Sequence, residues 1–300
     1  MHPMLKLVFL LCLFVLGLFL SGITGLLYSG ISGHSTTAAS TSLVMGASLQ
    51  LFACLTIGLV YHFLFDKGIG VGFTKQGASS LLWLFLLMAI ICTYSFAPFL
   101  DLSQKLNNWL INISNIAEIP FFDWLIEQDN DTTALSIKIL SMDSPIEFIS
   151  CLIVIGLLPA ICEEYAFRGS FQPLIAKWSG NIHVGIWVSA FIFSAIHVQI
   201  LGFIPRMLLG AGFGYLVVAS GSLWTGIIGH FINNTSIVIM AYYMGVDWVQ
   251  ESLSLTPEPW GETEYITAAV CGAIIIAIAF GLSKISVWRK NEANYLGLEQ

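Results

Sequence analysis

Ionisable and amide side chains interrupt the long apolar stretches of this chain at only a few places. The residues in question are Glu163, Glu164 and Arg168 in the string CEEYAFRG, His197 at the end of FSAIH, and His230 and Asn234 in HFINN. A charged residue in the middle of a membrane span costs about 2.5–3.5 kcal/mol on insertion scales, so an ionisable residue there is by default a functional candidate. These six are therefore the candidate catalytic residues.

Helical spacing predicts different tasks for the two adjacent glutamates. Glu164 and Arg168 are four residues apart, so they share one helix face and can pair. Glu163 lies about 100° further round the helix. We infer that Arg168 neutralises Glu164 and that Glu163 faces the interior of the bundle, where a carboxylate can act as a general base.

The other candidates also fall in pairs at helical spacing. Phe193 and His197 are four residues apart, as are His230 and Asn234, so each pair projects from one face of its helix. A carboxylate, two imidazoles and an amide that converge on one cavity can activate a water molecule and stabilise an oxyanion.

Each candidate also has a purely structural interpretation. Glu164 and Arg168 can be a buried ion pair that only fixes helix packing. A single histidine in a membrane helix is often a hydrogen-bonding link between helices, and Asn234 can be the same. Glu163 fits this interpretation less well, because no second basic residue is near it in the sequence.

The composition predicts an all-α polytopic membrane bundle. The chain is 57% hydrophobic and 10% charged, with a mean hydropathy of +0.84, whereas soluble domains are about one quarter charged. We expect one integral membrane domain over residues 1–300, without a separate soluble domain. About eight spans of roughly 20 apolar residues are predicted at 5–28, 42–65, 80–100, 148–170, 182–199, 203–220, 222–245 and 264–287.

Charge placement predicts the orientation and excludes one class of partner. With eight spans both termini lie on one side, which would hold Lys6, Lys67, Lys75, Lys177, Lys284, Arg289 and Lys290. The positive-inside rule then puts both termini in the cytoplasm. The loop 246–263 on the opposite side is acidic. The net charge of −7, without a basic cluster, argues against nucleic acid as a partner.

Two further segments have predicted roles in packing. Apolar residues between Leu102 and Ile116 recur at steps of three and four, which predicts an amphipathic helix that Pro120 ends. It lies either in the outer interface or across the ends of the bundle. In the sixth span, Gly210 and Gly214 form a GxxxG step that lets helices approach closely.

The three motifs EExxxR, FxxxH and HxxxN, in this order on successive helices, resemble the CAAX protease and bacteriocin-processing (CPBP or Abi) family of intramembrane proteases. The resemblance covers residues 145–245, the expected catalytic core. Eukaryotic members cleave the last three residues from prenylated CaaX proteins, and bacterial members are linked to peptide processing, bacteriocin immunity and signalling. By this similarity Glu163 would activate the attacking water with help from His197, while His230 and Asn234 would hold the oxyanion.

The resemblance leaves the metal unknown, because the family has been described both as metal-dependent and as a glutamate protease without a metal. Zinc could bind two histidines and a carboxylate. The chain has no HExxH string, however, and a metal-free water is slightly favoured. A rhomboid-type dyad of Ser222 and His230 is disfavoured, because the expected GxSG string is missing.

We therefore expect an endopeptidase that cuts a peptide or protein held in or near the lipid bilayer, with or without a lipid modification of that substrate. A proton-coupled transporter that uses the same Glu and His as a relay is the first alternative, and it would tolerate loss of Asn234. A non-catalytic scaffold or immunity protein is the second, and it would keep its role after Glu163→Gln. The oligomeric state does not follow from the sequence.

Overall fold

The computed structural model describes residues 1–66, 82–113, 119–245, 247–248, 261–284, 292–293 and 296. Within these residues the structure is helical and contains no strand, which confirms the all-α prediction. The helices are α1 (Pro3–Ser32), α2 (Ala39–Phe65), α3 (Leu82–Ile113), α4 (Pro120–Leu140), α5 (Pro145–Ser179), α6 (Ile182–Ala195), α7 (Phe203–Ser220), α8 (Leu223–Met244) and α9 (Glu262–Lys284).

The helices of this bundle are long and apolar enough to identify an integral membrane protein. α1, α2, α5 and α7 can each cross a bilayer by length and composition, and α3 is a fifth candidate if its bent halves count as one span. Large apolar side chains such as Val15, Phe19 and Leu26 on α1 are more than 60% exposed, as expected of a surface in contact with lipid.

The predicted count of eight spans is not confirmed by the described residues. α6 has only 14 residues, fewer than the roughly 20 that a span needs. α8 carries His230, Asn233 and Asn234 in its middle, and neither α8 nor α9 is among the candidate spans. The end of the predicted last span lies outside the described residues, as do Lys67, Lys75, Arg289 and Lys290, so the orientation stays a prediction.

The helices around the candidate motifs begin and end where local signals place them. α5 begins at a capping box, in which the Ser144 hydroxyl accepts from the backbone of Glu147 and the Glu147 carboxylate accepts from the backbone of Ser144. Gly180, with φ +68°, ends α5 in the left-handed conformation that favours glycine. Ser222 caps α8 by accepting from the Trp224 amide, so this serine has a structural use.

The predicted amphipathic helix is part of α3, and its orientation differs from a simple interfacial helix. α3 bends by 46° between its two halves, next to Pro98, which lacks the N–H that would bond Tyr94. In the second half the polar Asn107 is buried, while Leu106 and Trp109 are exposed. The packed face is thus the polar one, which favours the interpretation that this segment packs against the bundle.

That Pro120 ends the amphipathic helix stays a prediction, because residues 114–118 lie outside the described residues. α3 ends at Ile113 within the described residues, and Pro120 is the first residue of α4. Proline suits this position because the first turn of a helix needs no donor from its backbone nitrogen. The predicted apolar residue Ile116 lies outside the described residues.

Gly17 sets the close approach of α1 and α2. A Cβ at this position would lie 2.5 Å from both Cα and Cβ of Ala53, closer than real Cβ contacts. Since one of these atoms is backbone, the helices could accept a methyl group only by moving apart.

We expect Gly17→Ala to destabilise the protein by about 1–3 kcal/mol through overpacking. Gly22→Ala on the same helix is the matched control, because a Cβ there meets nothing within 4 Å. The control should keep or slightly raise the stability, since alanine favours helix over glycine. Thermal unfolding in detergent measures both variants, and equal loss of stability in the two would refute this account of the α1–α2 contact.

Candidate active site

The EExxxR motif lies on α5 in the interior of the bundle. Glu163, Glu164 and Arg168 are all buried, with exposed fractions of 8%, 0% and 1%. The helix contains two π-helical turns, one before the glutamates at Leu152–Leu157 and one around the arginine at Phe167–Phe171. Such wide turns are frequent at functional sites.

Glu164 and Arg168 together connect three helices. Glu164 Oε1 accepts from Arg168 Nη1 at 2.6 Å and lies 3.0 Å from His230 Nδ1 on α8. Arg168 Nη2 donates in turn to the Gly210 carbonyl of α7 at 2.7 Å. The expected pairing of Glu164 with Arg168 is therefore present, and it also holds His230.

Gly226 gives this carboxylate its space. A Cβ on Gly226 would lie 2.6 Å from Glu164 Oε2 and 2.9 Å from Val217 Cγ2. The Oε2 atom is buried and has no hydrogen-bond partner among the described residues. The close approach of α8 to α5 thus depends on a glycine that lies one turn before His230.

Two aromatic rings enclose the Arg168 guanidinium. Its Cζ lies 5.1 Å from the centre of the Phe193 ring and 5.7 Å from that of Phe213, both within the range of a cation–π interaction. Phe213 also stacks on His230, with ring centres 5.6 Å apart and planes at 19°. The rings exclude other groups from the ion pair and hold the imidazole plane.

Glu163 has surroundings different from those of Glu164. Its Oε1 accepts from Gln50 Nε2 on α2 at 2.8 Å, and its Oε2 lies 3.8 Å from His230 Nε2. His230 therefore lies between the two carboxylates, bonded to Glu164 and near Glu163. Glu163 was predicted to face the interior of the bundle, and its side chain is buried there in the structure.

His197 follows the last residues of α6 and reaches the cluster through Phe193. Its Nδ1 lies 2.7 Å from the Phe193 carbonyl oxygen, and the two rings meet edge to face at 5.0 Å between centres. Phe193 meets His230 in the same manner at 6.1 Å. The expected alignment of Phe193 and His197 on one face is present, and the phenyl ring separates the two imidazoles.

The segment that carries His197 is fixed by polar side chains of α3 and α4. Asn107 Nδ2 donates to the carbonyls of Ile200 and Leu201, at 2.9 Å each. The Leu201 amide donates to Asp129 Oδ2 at 2.7 Å, while burial raises the pKa of this carboxyl group. Val198 has φ +56°, a strained conformation for a β-branched residue, which these bonds maintain.

Asn234 donates a hydrogen bond to the backbone carbonyl of Ile155. The usual α-helical donor to this carbonyl is missing, because residue 159 is a proline. In an α-helix the Ile155 carbonyl would accept from the amide of residue 159, which is proline and has no N–H. Asn234 Nδ2 donates to this carbonyl at 2.9 Å. One of the two amide hydrogens of Asn234 is thus engaged in packing α8 on α5, and the other remains available.

The described residues do not fit a metal centre. No group of three or more His, Cys, Asp or Glu side chains within them could hold a metal ion. The Nδ1 atoms of His197 and His230 are engaged by Phe193 and Glu164. We derive no step that involves a metal.

Comparison with known proteins gives a family for the part of the chain that carries all three motifs. Residues 145–236 match the family described as type II CAAX prenyl endopeptidase, Rce1-like. We call residues 145–236 the Rce1-like segment, after the family that they match. The resemblance predicted from the motifs EExxxR, FxxxH and HxxxN is thereby confirmed.

One curated protein is also similar in sequence to a part of this chain. "Uncharacterized protein YpbD" of Bacillus subtilis (strain 168) is 28% identical over 121 residues, which cover 39% of this chain and 57% of YpbD. The chain thus matches little more than half the length of that relative. No solved structure matches the chain.

Gln50 and Phe213 contact the motif residues but were not predicted from the sequence. Gln50 lies outside the Rce1-like segment, 113 residues before its partner Glu163. Its amide within an apolar span was a signal that could have found it, by the same rule that selected the charged residues. Phe213 lies within the segment, three residues after Gly210, so it shares a face with that glycine.

We expect Arg168→Met to destabilise the protein by about 3–5 kcal/mol, because the substitution leaves Glu164 buried without its cation. Replacing both members, as Arg168→Met with Glu164→Gln, should recover most of this loss. Lys138→Met is the control, since it removes an exposed cation on α4. Unfolding in detergent measures the three variants, and a double variant as unstable as Arg168→Met alone would show that the ion pair is not the source of the stability.

Proposed function

We propose that this protein is an intramembrane endopeptidase in which Glu163 activates the attacking water. The family-level match to CAAX prenyl endopeptidases supports a protease. The observation that carries the proposal is the difference between the two glutamates. Glu164 is fully buried and is bonded to Arg168 and His230, while Glu163 has no hydrogen bond to Arg168 and keeps its Oε2 on the side of His230 Nε2.

The charge of the cluster supports a transferable proton beside Glu163. Arg168 offsets one of the two carboxylates, so one negative charge remains in a buried site where an unbalanced charge is costly. A single proton, on Glu163 or on His230, makes the cluster neutral. Glu163 Oε2 and His230 Nε2 are 3.8 Å apart, so the proton has only a short distance to move between the two atoms.

Hydrogen bonding assigns the nitrogen atoms of both histidines. A carbonyl oxygen only accepts, so His197 Nδ1 donates to Phe193, which leaves its Nε2 as an acceptor in the neutral ring. In the same way, His230 Nδ1 donates to the Glu164 carboxylate. When the shared proton is on His230 Nε2, Glu163 is an ionised base and His230 is a donor for an oxyanion.

The reaction then proceeds in two steps. Water donates a proton to Glu163 Oε2, with His197 Nε2 as a second acceptor, as its oxygen forms a bond to the scissile carbonyl carbon. His230 Nε2–H and the second amide hydrogen of Asn234 stabilise the resulting oxyanion. Glu163 passes the proton to the leaving nitrogen, the C–N bond breaks, and the products are a carboxylic acid and a free amine.

The proposed substrate is a peptide or protein anchored in the bilayer, with a lipid-modified peptide as one form. The site is buried among helices whose outer surfaces face lipid, so a substrate that is already in the membrane has the shortest path to Glu163. The CAAX description of the matching family favours a substrate cut near its C-terminus.

We expect Glu163→Gln to lower the cleavage of membrane-anchored peptides by at least about 100-fold, since it removes the general base. The variant should remain folded, because glutamine can still accept from Gln50. Glu127→Gln, on the exposed face of α4, is the matched control and should cleave like wild type. Proteoliposomes with a peptide library that includes prenylated C-termini provide the assay.

Each reaction is run with and without a zinc chelator, so that a need for metal is measured directly. Cleavage by wild type and control but not by Glu163→Gln supports the proposal. Equal cleavage by Glu163→Gln, or none by wild type over the whole library, contradicts it. The second of these outcomes would favour the transporter or scaffold alternatives.

A further inference from the structure

We propose that Gln50 on α2 is a positioning residue that holds Glu163 for catalysis. This inference rests on the proposed function and extends it to a helix outside the Rce1-like segment. Gln50 touches the carboxylate of Glu163 and acts on the reaction through it.

The contact joins two buried side chains from distant parts of the chain. Gln50 is 7% exposed and Glu163 is 8% exposed, and Gln50 Nε2 donates to Glu163 Oε1 at 2.8 Å. An amide donates at every pH, so the bond constrains the carboxylate whatever its protonation state. The two oxygens of Glu163 become different, because Oε1 is engaged and Oε2 remains on the side of His230.

The packing of α2 fixes the direction in which Gln50 projects. Gln50 shares one buried face with Ala53, Ile57 and Gly58, which follow it by three, seven and eight residues. Ala53 lies against Gly17 of α1, as described above. A Cβ on Gly58 would lie 2.2 Å from Tyr165 Cδ1 on α5, two residues after Glu163. α2 is thereby held against the part of α5 that carries the base.

The backbone at Gln50 also departs from regular α-helix geometry. Gln50 is the first residue of a π-helical turn, Gln50–Leu55, which is followed in the same span by a second π-helical turn from Tyr61. A π-helical turn rotates the residues on its two sides relative to each other. The turn begins at the one residue of α2 that bonds to Glu163.

Packing alone does not account for a glutamine at this position. Gln50 Oε1 is buried without a hydrogen-bond partner among the described residues. A buried unsatisfied polar atom costs about 1–3 kcal/mol. An apolar side chain of the same length would fill this space without that cost, but it would leave Glu163 Oε1 without its donor.

Two substitutions separate the hydrogen bond from the volume of the side chain. Gln50→Met keeps the length and removes the donor, and Gln50→Asn keeps the amide but is one methylene too short to reach. We expect both to lower kcat by about 10- to 100-fold, the value of a hydrogen bond to a charged group. KM should stay within about twofold, because the bond acts on the base and not on substrate binding.

The pH profile gives a readout that a packing defect would not change. Loss of the donor disfavours the ionised form of Glu163, so the acid limb of kcat/KM should move to higher pH in both variants. The titratable and charged groups that otherwise act on Glu163 are unchanged in them, namely His230, Glu164, Arg168, Arg206, Cys54 and Cys162. Leu51→Met, at the neighbouring exposed position, is the control.

The outcomes distinguish this inference from the proposed function. If wild type cleaves, Glu163→Gln does not, and both Gln50 variants show the lower kcat and the shifted limb, the inference is supported. Should Gln50→Met fail to fold, Gln50→Asn still decides. If a folded Gln50 variant keeps the wild-type kcat and the acid limb of its kcat/KM profile is not shifted, the role of Gln50 is overturned. The proposed function is then unaffected. Absence of cleavage by wild type overturns the proposed function and this inference with it.

Discussion

The buried ion pair between Glu164 and Arg168 is the interaction on which the rest of the site depends. Both side chains are almost fully removed from solvent, where separate charges are very costly and hydrogen bonds to the remaining donors and acceptors help to stabilise a pair. The Gly210 carbonyl accepts from Arg168 and His230 bonds to Glu164 Oε1, which leaves Glu164 Oε2 as the buried oxygen of the pair without a partner among the described residues. The pair therefore fixes α5, α7 and α8 in one arrangement.

The different roles proposed for Glu163 and Glu164 follow from this ion pair. Because Glu164 is committed to Arg168 and His230, the negative charge left for chemistry is that of Glu163, which lies about 100° round the same helix. A glycine, a proline and a strained loop residue complete the site. Gly226 admits the Glu164 carboxylate, and Pro159 frees the carbonyl that Asn234 binds. The strained segment at Val198 holds His197 beside Phe193.

The sequence predicted the parts of this arrangement that depend on spacing within one helix. The steps Glu164–Arg168 and Phe193–His197 each give the contact expected of residues four apart. The partners of Gln50 and Phe213 could not be predicted, because they depend on which helices are neighbours; the Gln50 amide in an apolar span marks the residue but does not say that it binds Glu163. Asn234 was predicted to point towards the site, whereas its hydrogen bond to the Ile155 carbonyl, which engages one amide hydrogen, appears only when α5 and α8 are packed together.

The all-α fold followed from composition, but the span count did not. Hydropathy detects long apolar helices such as α1 and α2, which face lipid over much of their surface. It is less informative for α6 and α8, which lie beside the polar cluster and are short or carry its polar residues. The half of α3 that was predicted to be amphipathic buries Asn107 and exposes Trp109, since its polar groups bind the loop that carries His197.

The central claim is that Glu163, and not Glu164, exchanges a proton during catalysis. Infrared spectroscopy of protein labelled with ¹³C in its glutamate carboxyl groups, recorded over the pH range of activity, tests this directly. The account predicts a carboxyl band that titrates together with cleavage, disappears in Glu163→Gln and persists in the Glu164→Gln/Arg168→Met double variant. A band that persists in Glu163→Gln and disappears in the double variant would contradict it.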